Sequence, residues 1–209
     1  MGQYFKAANL DKKESFQPDG IKFMEHSYID NDSVEAVMFA LSKTWKRQRI
    51  VWVGDYAYDT EPYEYPEIDL NRPKTFDLSH KAFLYNVDKK EKVDMALYNK
   101  IGFTNVEEWV DNEGKKETWS SIIHPLPILV IAEGGGGGGD YHNDEDPMLG
   151  AWTGDRILVS YRNFKTYKDI THKVLPIEER DFDKIGGDYT EYYNKKVSTF
   201  KLKQNLEKF

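Results

Sequence analysis

The chain has no cysteine, which excludes a disulfide framework, a thiol nucleophile and any cysteine-ligated metal. Packing has to supply the stability. No stretch approaches the roughly 18 apolar residues of a membrane span. Met1 to Leu10 also lacks the basic start and unbroken apolar run of a secretory signal. The expectation is a cytoplasmic protein, of a cell or of a virus-infected cell, with no membrane partner. Positive charge is in short supply as well. With 29 Lys and Arg against 36 Asp and Glu, the net charge of −7 argues against broad nucleic-acid binding, because nonspecific affinity comes from neutralising phosphates. Lys195, Lys196, Lys201, Lys203 and Lys208 form a local basic group, whose ordinary reading is a solvated face.

Aromatic residues are plentiful. Five Trp, fourteen Tyr and eleven Phe in 209 residues bury large areas per side chain, and one folded domain over 1–209 is expected. Long loops near 59–75 and 133–150 and a C-terminal segment, 190–209, that could be mobile complete the domain reading. Gln3 to Leu10 and the stretch around Ser15 and Phe16 flank Asp11-Lys12-Lys13 as an opening hairpin. Val34, Val37, Met38, Leu41 and Trp45 recur at helical spacing behind an Asp32/Glu35 capping-box pattern, which predicts a principal helix over 33–45. Arg49 to Val53 reads as a buried strand. Ala82 to Val87 and Lys92 to Tyr98 flank Asp88-Lys89-Lys90-Glu91 as a second hairpin, the later half of which could be helical. Thr118 to Ile123, Ile128 to Ile131 and Arg156 to Tyr161 read as further strands. The fold class is therefore α+β, a mainly antiparallel sheet built from hairpins with one principal helix packed on it. Trp52-Val53-Gly54-Asp55 and Trp152-Thr153-Gly154-Asp155 share W-x-G-D, which leaves open an internal repeat or two independently terminated strands.

Six consecutive glycines, Gly134 to Gly139, run into Asp140-Tyr141-His142-Asn143-Asp144-Glu145-Asp146-Pro147. Glycine loops hold phosphate when successive N–H groups converge, but here the acids that follow repel it, and no P-loop or dinucleotide ending is present. In extended backbone Asp140, His142, Asp144 and Asp146 share one face at about 6 to 7 Å spacing, a candidate set for a divalent cation. A hydrated acidic loop is the plainer alternative. His26 and His124 border apolar segments where an imidazole needs a partner. They are the candidate catalytic residues if the protein is an enzyme, conditional on converging with Asp140, and Ser27 or Ser121 are nucleophiles only on that condition. Tyr56, Tyr58, Tyr63 and Tyr65, set among Asp59, Glu61, Glu64 and Glu67, either form a recognition surface or pin a loop to the core.

Several motifs carry a resemblance: Met1-Gly2-Gln3-Tyr4-Phe5-Lys6 with Asn9-Leu10-Asp11-Lys12-Lys13-Glu14, then Gly20 to Ser27, Val53 to Ala57, His124-Pro125-Leu126-Pro127, the glycine run with Asp140-Tyr141, and Gly150 to Ile157. In this order they resemble a family of uncharacterised bacterial and bacteriophage proteins. The resemblance implies a source, a bacterial cell or a phage-infected one, and no activity. Similar proteins interrupt the glycine run with a basic or amide residue, which this chain does not. The functional expectation is a non-enzymatic binding protein engaging a small ligand or a host protein, with counter-defence as one role. Gly137, Gly138, Gly139, Asp140, Tyr141, Trp152, Asp155 and Arg156 are its candidate ligand-binding residues. No cofactor is expected apart from the candidate divalent cation, and the oligomeric state is open. The alternatives are a metal-dependent hydrolase or lyase acting through the glycine and acid loop, and a structural or virion component.

Overall fold

Strands β1 (Phe5–Asn9) and β2 (Glu14–Phe16) form the expected opening hairpin, and β3 (Gln48–Gly54) pairs antiparallel with the other side of β1. The second hairpin joins β4 (Phe83–Asn86) to β5 (Glu91–Asp94). Between the two hairpins β8 (Arg156–Ser160) lies antiparallel to both β3 and β4, and β9 (Lys168–Asp169) adds a parallel edge to β5. The resulting sheet has seven strands in the order β2-β1-β3-β8-β4-β5-β9. Strands β6 (Asn105–Val110) and β7 (Lys116–Ser121) make a separate hairpin. The computed structural model describes residues 3–75, 77–101, 105–110, 116–133 and 148–174. The basic C-terminal group and segment 190–209 fall outside them.

The principal helix is α2, Asp32–Ser42, close to the expected 33–45, and the architecture is α+β. Its start differs in chemistry from the capping box read in the sequence. Asn31 is the cap, and its side-chain oxygen accepts from the N–H groups of Ser33 and Val34. Glu35 is thereby released for another use. The helix stops at Lys43, after which Trp45 N–H returns to the Ala40 carbonyl and Arg47 takes a φ of 59°. Shorter helices are α1 (Phe23–His26), α3 (Asp77–Lys81), α4 (Met95–Ile101) and α5 (Pro125–Val130). Helix α4 takes the later half of what reads as the second hairpin's return strand. Helix α5 overturns the strand expected at Ile128 to Ile131. All six of its residues are buried, and a short wholly apolar run does not distinguish helix from strand by periodicity. What decides it is the start. His124 caps with its ring, accepting from Leu126 N–H, and Pro125 sits at the first helical position, where a missing N–H costs nothing. The long stretch 59–75 is not bare loop: a 3₁₀ turn at Glu61–Glu64 buries Pro62, and Glu67 bridges in parallel to Ser15 on β2.

The sheet repeats itself about its centre. Strands β3 and β8 meet antiparallel at Arg49 opposite Arg156, and each side continues outward through a hairpin to a parallel edge contact. The chemistry repeats with the topology. Asn9 accepts from the N–H groups of Asp11 and Lys12, and Asn86 from those of Asp88 and Lys89. Lys13 and Lys90 both turn the hairpin with positive φ, 55° and 56°. Asp11 takes the backbone N–H and Nε of Arg49, as Asp88 takes those of Arg156. Trp45 Nε1 donates to Glu14 at 2.6 Å and Trp152 Nε1 to Glu91 at 3.0 Å. Lys13 lies over the Tyr65 ring and Lys90 over Tyr167. Ile68 N–H reaches Ser15 O, and Ile170 N–H reaches Lys92 O. Two copies of one strand-turn-strand, helix, strand unit thus share the sheet through a pseudo-twofold. The helices are exchanged, with α2 packing on β8 and α5 on β3. In sequence the repeat is N-x-D-K-K-E with W-x-x-x-R-I, a different frame from W-x-G-D. Trp152 corresponds to Trp45, and Trp52 corresponds to Val159.

In the first half three backbone steps lead from Ser42 to Trp45, whereas in the second the chain leaves at Ala132 and returns at Met148. Its ends nearly touch: Gly150 N–H bonds to Ile128 O at 2.8 Å, and Thr153 Oγ1 donates to Ile131 O at 2.5 Å. The glycine and acid segment is therefore an insertion in the repeated frame. Replacing 134–147 by a short Gly-Ser linker is expected to move the melting temperature by no more than about 4 °C, since loop length enters closure entropy only logarithmically. A melting temperature lowered by more than about 10 °C would mean that the segment helps hold the frame.

Candidate functional site

The two histidines singled out by sequence are both buried and both committed to internal hydrogen bonds. His26 places Nδ1 2.7 Å from Gly20 O and receives Trp52 Nε1–H on Nε2 at 2.9 Å. This fixes a neutral ring with its proton on Nδ1. Burial pushes its pKa down to about 4. His124 is fully buried, and burial, with a smaller repulsion from His80, lowers it to about 3. Because its Nδ1 accepts from Leu126 N–H, the proton of the neutral ring is on Nε2, 3.3 Å from Ser79 Oγ. The Ser79 hydroxyl in turn donates to Glu35. The chain therefore runs histidine to serine to carboxylate. That is the reverse of a hydrolytic triad, where the serine donates to the histidine and the carboxylate orients the ring. Ser27 Oγ is buried without a hydrogen-bond partner among the described residues. The side chain of Ser121 lies outside the described residues.

Of the expected ligand-binding residues, Trp152, Asp155 and Arg156 belong to the frame. Trp152 is buried against Glu91, Asp155 accepts from Asn86 Nδ2 at 2.7 Å and pairs with Lys89 at 3.0 Å, and Arg156 pairs with Asp88. Gly137, Gly138, Gly139, Asp140 and Tyr141 lie outside the described residues, as do the candidate metal ligands Asp140, His142, Asp144 and Asp146. Among the described residues no group of three or more His, Asp or Glu side chains is arranged to hold a metal ion, and no helix is long and apolar enough to cross a membrane. Of the tyrosine cluster, Tyr63 and Tyr65 lie under Lys6 and Lys13, while Tyr56 and Tyr58 are exposed.

A site the sequence does not announce lies on the opposite side of α2. Glu35, one residue along from the capping position, turns inward and is almost completely buried. Its carboxylate accepts from Leu78 N–H at 2.9 Å, Ser79 N–H at 3.1 Å and Ser79 Oγ. It thus binds the first turn of α3 to the principal helix. Burial raises its pKa in spite of these bonds. Above it opens a cleft of about 360 Å3, walled by Phe39, Ser42, Lys43 and Lys46 of α2 and its exit, by Pro73, Thr75, Asp77 and Leu78, and by Val159, Ser160 and Tyr161. That volume lies within the range of small-molecule sites, and most of the lining residues are polar, with Phe39, Pro73, Leu78 and Val159 as the apolar part.

The pseudo-twofold explains why this place is open. At the corresponding position of the other half, Ile131 bridges to Trp52, Ala132 N–H bonds to Trp52 O, and the Trp52 indole lies 5.6 Å from the His26 ring, centroid to centroid. Indole, imidazole and the chain leaving α5 fill it. Opposite α2 the same sheet position is Val159, where the described residues form no isolated bridge like Ile131 to Trp52, and Phe39 and Tyr161 stand at the walls of an open cleft. The residues came together through tertiary folding, so only the inward-facing Glu35, a charge beside Val34 and Ala36 on a mostly buried helix, gave any local signal. No family model, no curated protein and no solved structure matches the chain, and the resemblance stated above rests on its motifs alone.

Proposed function

We propose that the protein is a non-enzymatic binding protein and that a small ligand occupies the cleft between α2, α3 and the end of β8. One observation carries this reading: of two equivalent places in a duplicated frame, one is packed with Trp52 and His26 and the other, at Val159, is a cleft of ligand size. Both described carboxylates of the cleft are already engaged, which favours binding over catalysis: Glu35 is tied to the N–H groups of Leu78 and Ser79, and Asp77 is held by Lys81 at 2.6 Å. The insertion 134–147 is a separate candidate for contact with a host protein, proposed from its sequence.

Val159→Trp tests the assignment. The indole is expected to occupy the cleft as Trp52 occupies its counterpart, so ligand binding falls at least about tenfold while the far-ultraviolet circular dichroism and two-state unfolding are kept. A ligand that binds the folded variant unchanged, with amide shift changes in nuclear magnetic resonance away from Ser42, Thr75 and Ser160, would place the site elsewhere.

A further inference from the structure

The charges around the cleft are unevenly committed. Both carboxylates have internal partners: Glu35 is held by two backbone N–H groups and the Ser79 hydroxyl, and Asp77 by Lys81. The two ammonium groups, Lys43 and Lys46, are exposed and have no ion pair among the described residues. Hydroxyls line the same cleft. Ser160 Oγ accepts from Arg162 N–H and so keeps its own proton to give, and Thr75 and Tyr161 line the same cleft with no hydrogen bond to another described residue. Phe39, Pro73, Leu78 and Val159 supply apolar wall. On a chain whose net charge is −7, the cleft is lined by two lysines without an ion pair among the described residues and by three hydroxyls able to donate, while its two carboxylates already have partners. Two lysines past a helix C-terminus also offset the negative pole of the helix, which is their plain structural role. That role needs no cleft and no hydroxyls lining it.

We infer that the ligand is a small organic anion, its phosphate or carboxylate held by Lys43 and Lys46 with Ser160, Thr75 and Tyr161 donating, and its apolar part against Phe39, Pro73 and Val159. This rests on the cleft being the binding site. A carboxylate and a phosphate share the recognition chemistry, and a matched set of probes separates them from neutral and cationic molecules of the same shape.

The experiment is titration of the full chain with phenyl phosphate, benzoate, benzyl alcohol and benzylammonium, followed by amide chemical shifts. Phenyl phosphate is expected to bind with shifts at Ser42 to Lys46, Thr75 and Ser160, benzoate more weakly, and the neutral and cationic probes at least about tenfold more weakly than phenyl phosphate. Lys43→Gln with Lys46→Gln should weaken phenyl phosphate binding at least about tenfold, and 0.5 M salt should weaken it in the parent protein. Lys168→Gln, on the edge strand β9 three strands away from β8, should leave it unchanged. Because the lysines are exposed, the double variant is expected to fold, and its unfolding curve shows whether it does. Equal binding of benzyl alcohol in the cleft, indifferent to the lysine changes, overturns the charge assignment and leaves the cleft as a site. No cleft shifts with any probe up to about 10 mM overturns both.

Discussion

Lowering the pH from 7 to 5 is expected to remove about 4 kcal/mol of folding stability through His26 and His124 alone, a large part of the roughly 5–15 kcal/mol that holds a domain together. Both rings are held neutral: His26 by burial with a pKa of about 4, His124 by burial with a pKa of about 3, against an ordinary value of 6.5. The unfolded chain takes up protons as the pH falls through 6.5, and the folded chain does not follow until about 4 and about 3. Stability conferred by these groups is therefore complete above 6.5 and drains away below it, at about 1.4 kcal/mol per pH unit for each ring. Glu35 and Asp94, both raised by burial, act in the opposite sense. Their buried charge is a cost at neutral pH that protonation relieves, so they offset part of the loss. Urea unfolding between pH 7 and 4.5 measures the slope. His26→Gln and His124→Asn, which cannot take up a proton, should each lower stability at pH 7 and remove about half of the slope. Asn at 124 keeps an acceptor for Leu126 N–H, so α5 should still start there. A flat profile in the parent protein would contradict the neutral, buried assignment of both rings.

Much of the frame could be read from local signals because those signals are local in their physics. The Asp11-Lys12-Lys13 and Asp88-Lys89-Lys90 turns lie between alternating segments, and each forms with a lysine at positive φ. Val34, Val37, Met38 and Leu41 are all buried along α2. Helix α5 stands where a strand is expected because a buried apolar run has no periodicity to separate the two, although His124-Pro125 carries a start signal. The duplication was also within reach: Asn9 to Glu14 and Asn86 to Glu91 differ at one position, Leu10 against Val87. The two W-x-G-D stretches pair Trp52 with Trp152, whereas the hydrogen bonds match Trp45 with Trp152. The cleft was not legible. Glu35, Asp77 and Val159 are brought together only by α2 crossing to the other half's strand, and no spacing along the chain encodes that exchange.

Trp45→Ala and Trp152→Ala are each expected to cost about 3–5 kcal/mol, and the two costs should agree to within about 1 kcal/mol. Each indole is wholly buried, and each lies beneath the turn that feeds a central strand. Each donates Nε1–H to the glutamate that opens the returning strand of its own hairpin, Glu14 or Glu91. Each precedes by two residues a backbone position of positive φ, Arg47 at 59° and Gly154 at 72°. Truncation at either place removes the same ring from the same surroundings and frees the same carboxylate, so a shared frame demands a shared penalty. Phenylalanine, which keeps most of the ring but not the N–H, should recover more than half of the loss at both sites. Equilibrium unfolding in urea at pH 7 gives the four values. If Trp152→Ala proves nearly neutral while Trp45→Ala is severe, the correspondence drawn from the hydrogen bonds is a coincidence of geometry. The contrast between a filled place at Trp52 and an open one at Val159 then loses its meaning, because that contrast has force only if the two places are versions of one.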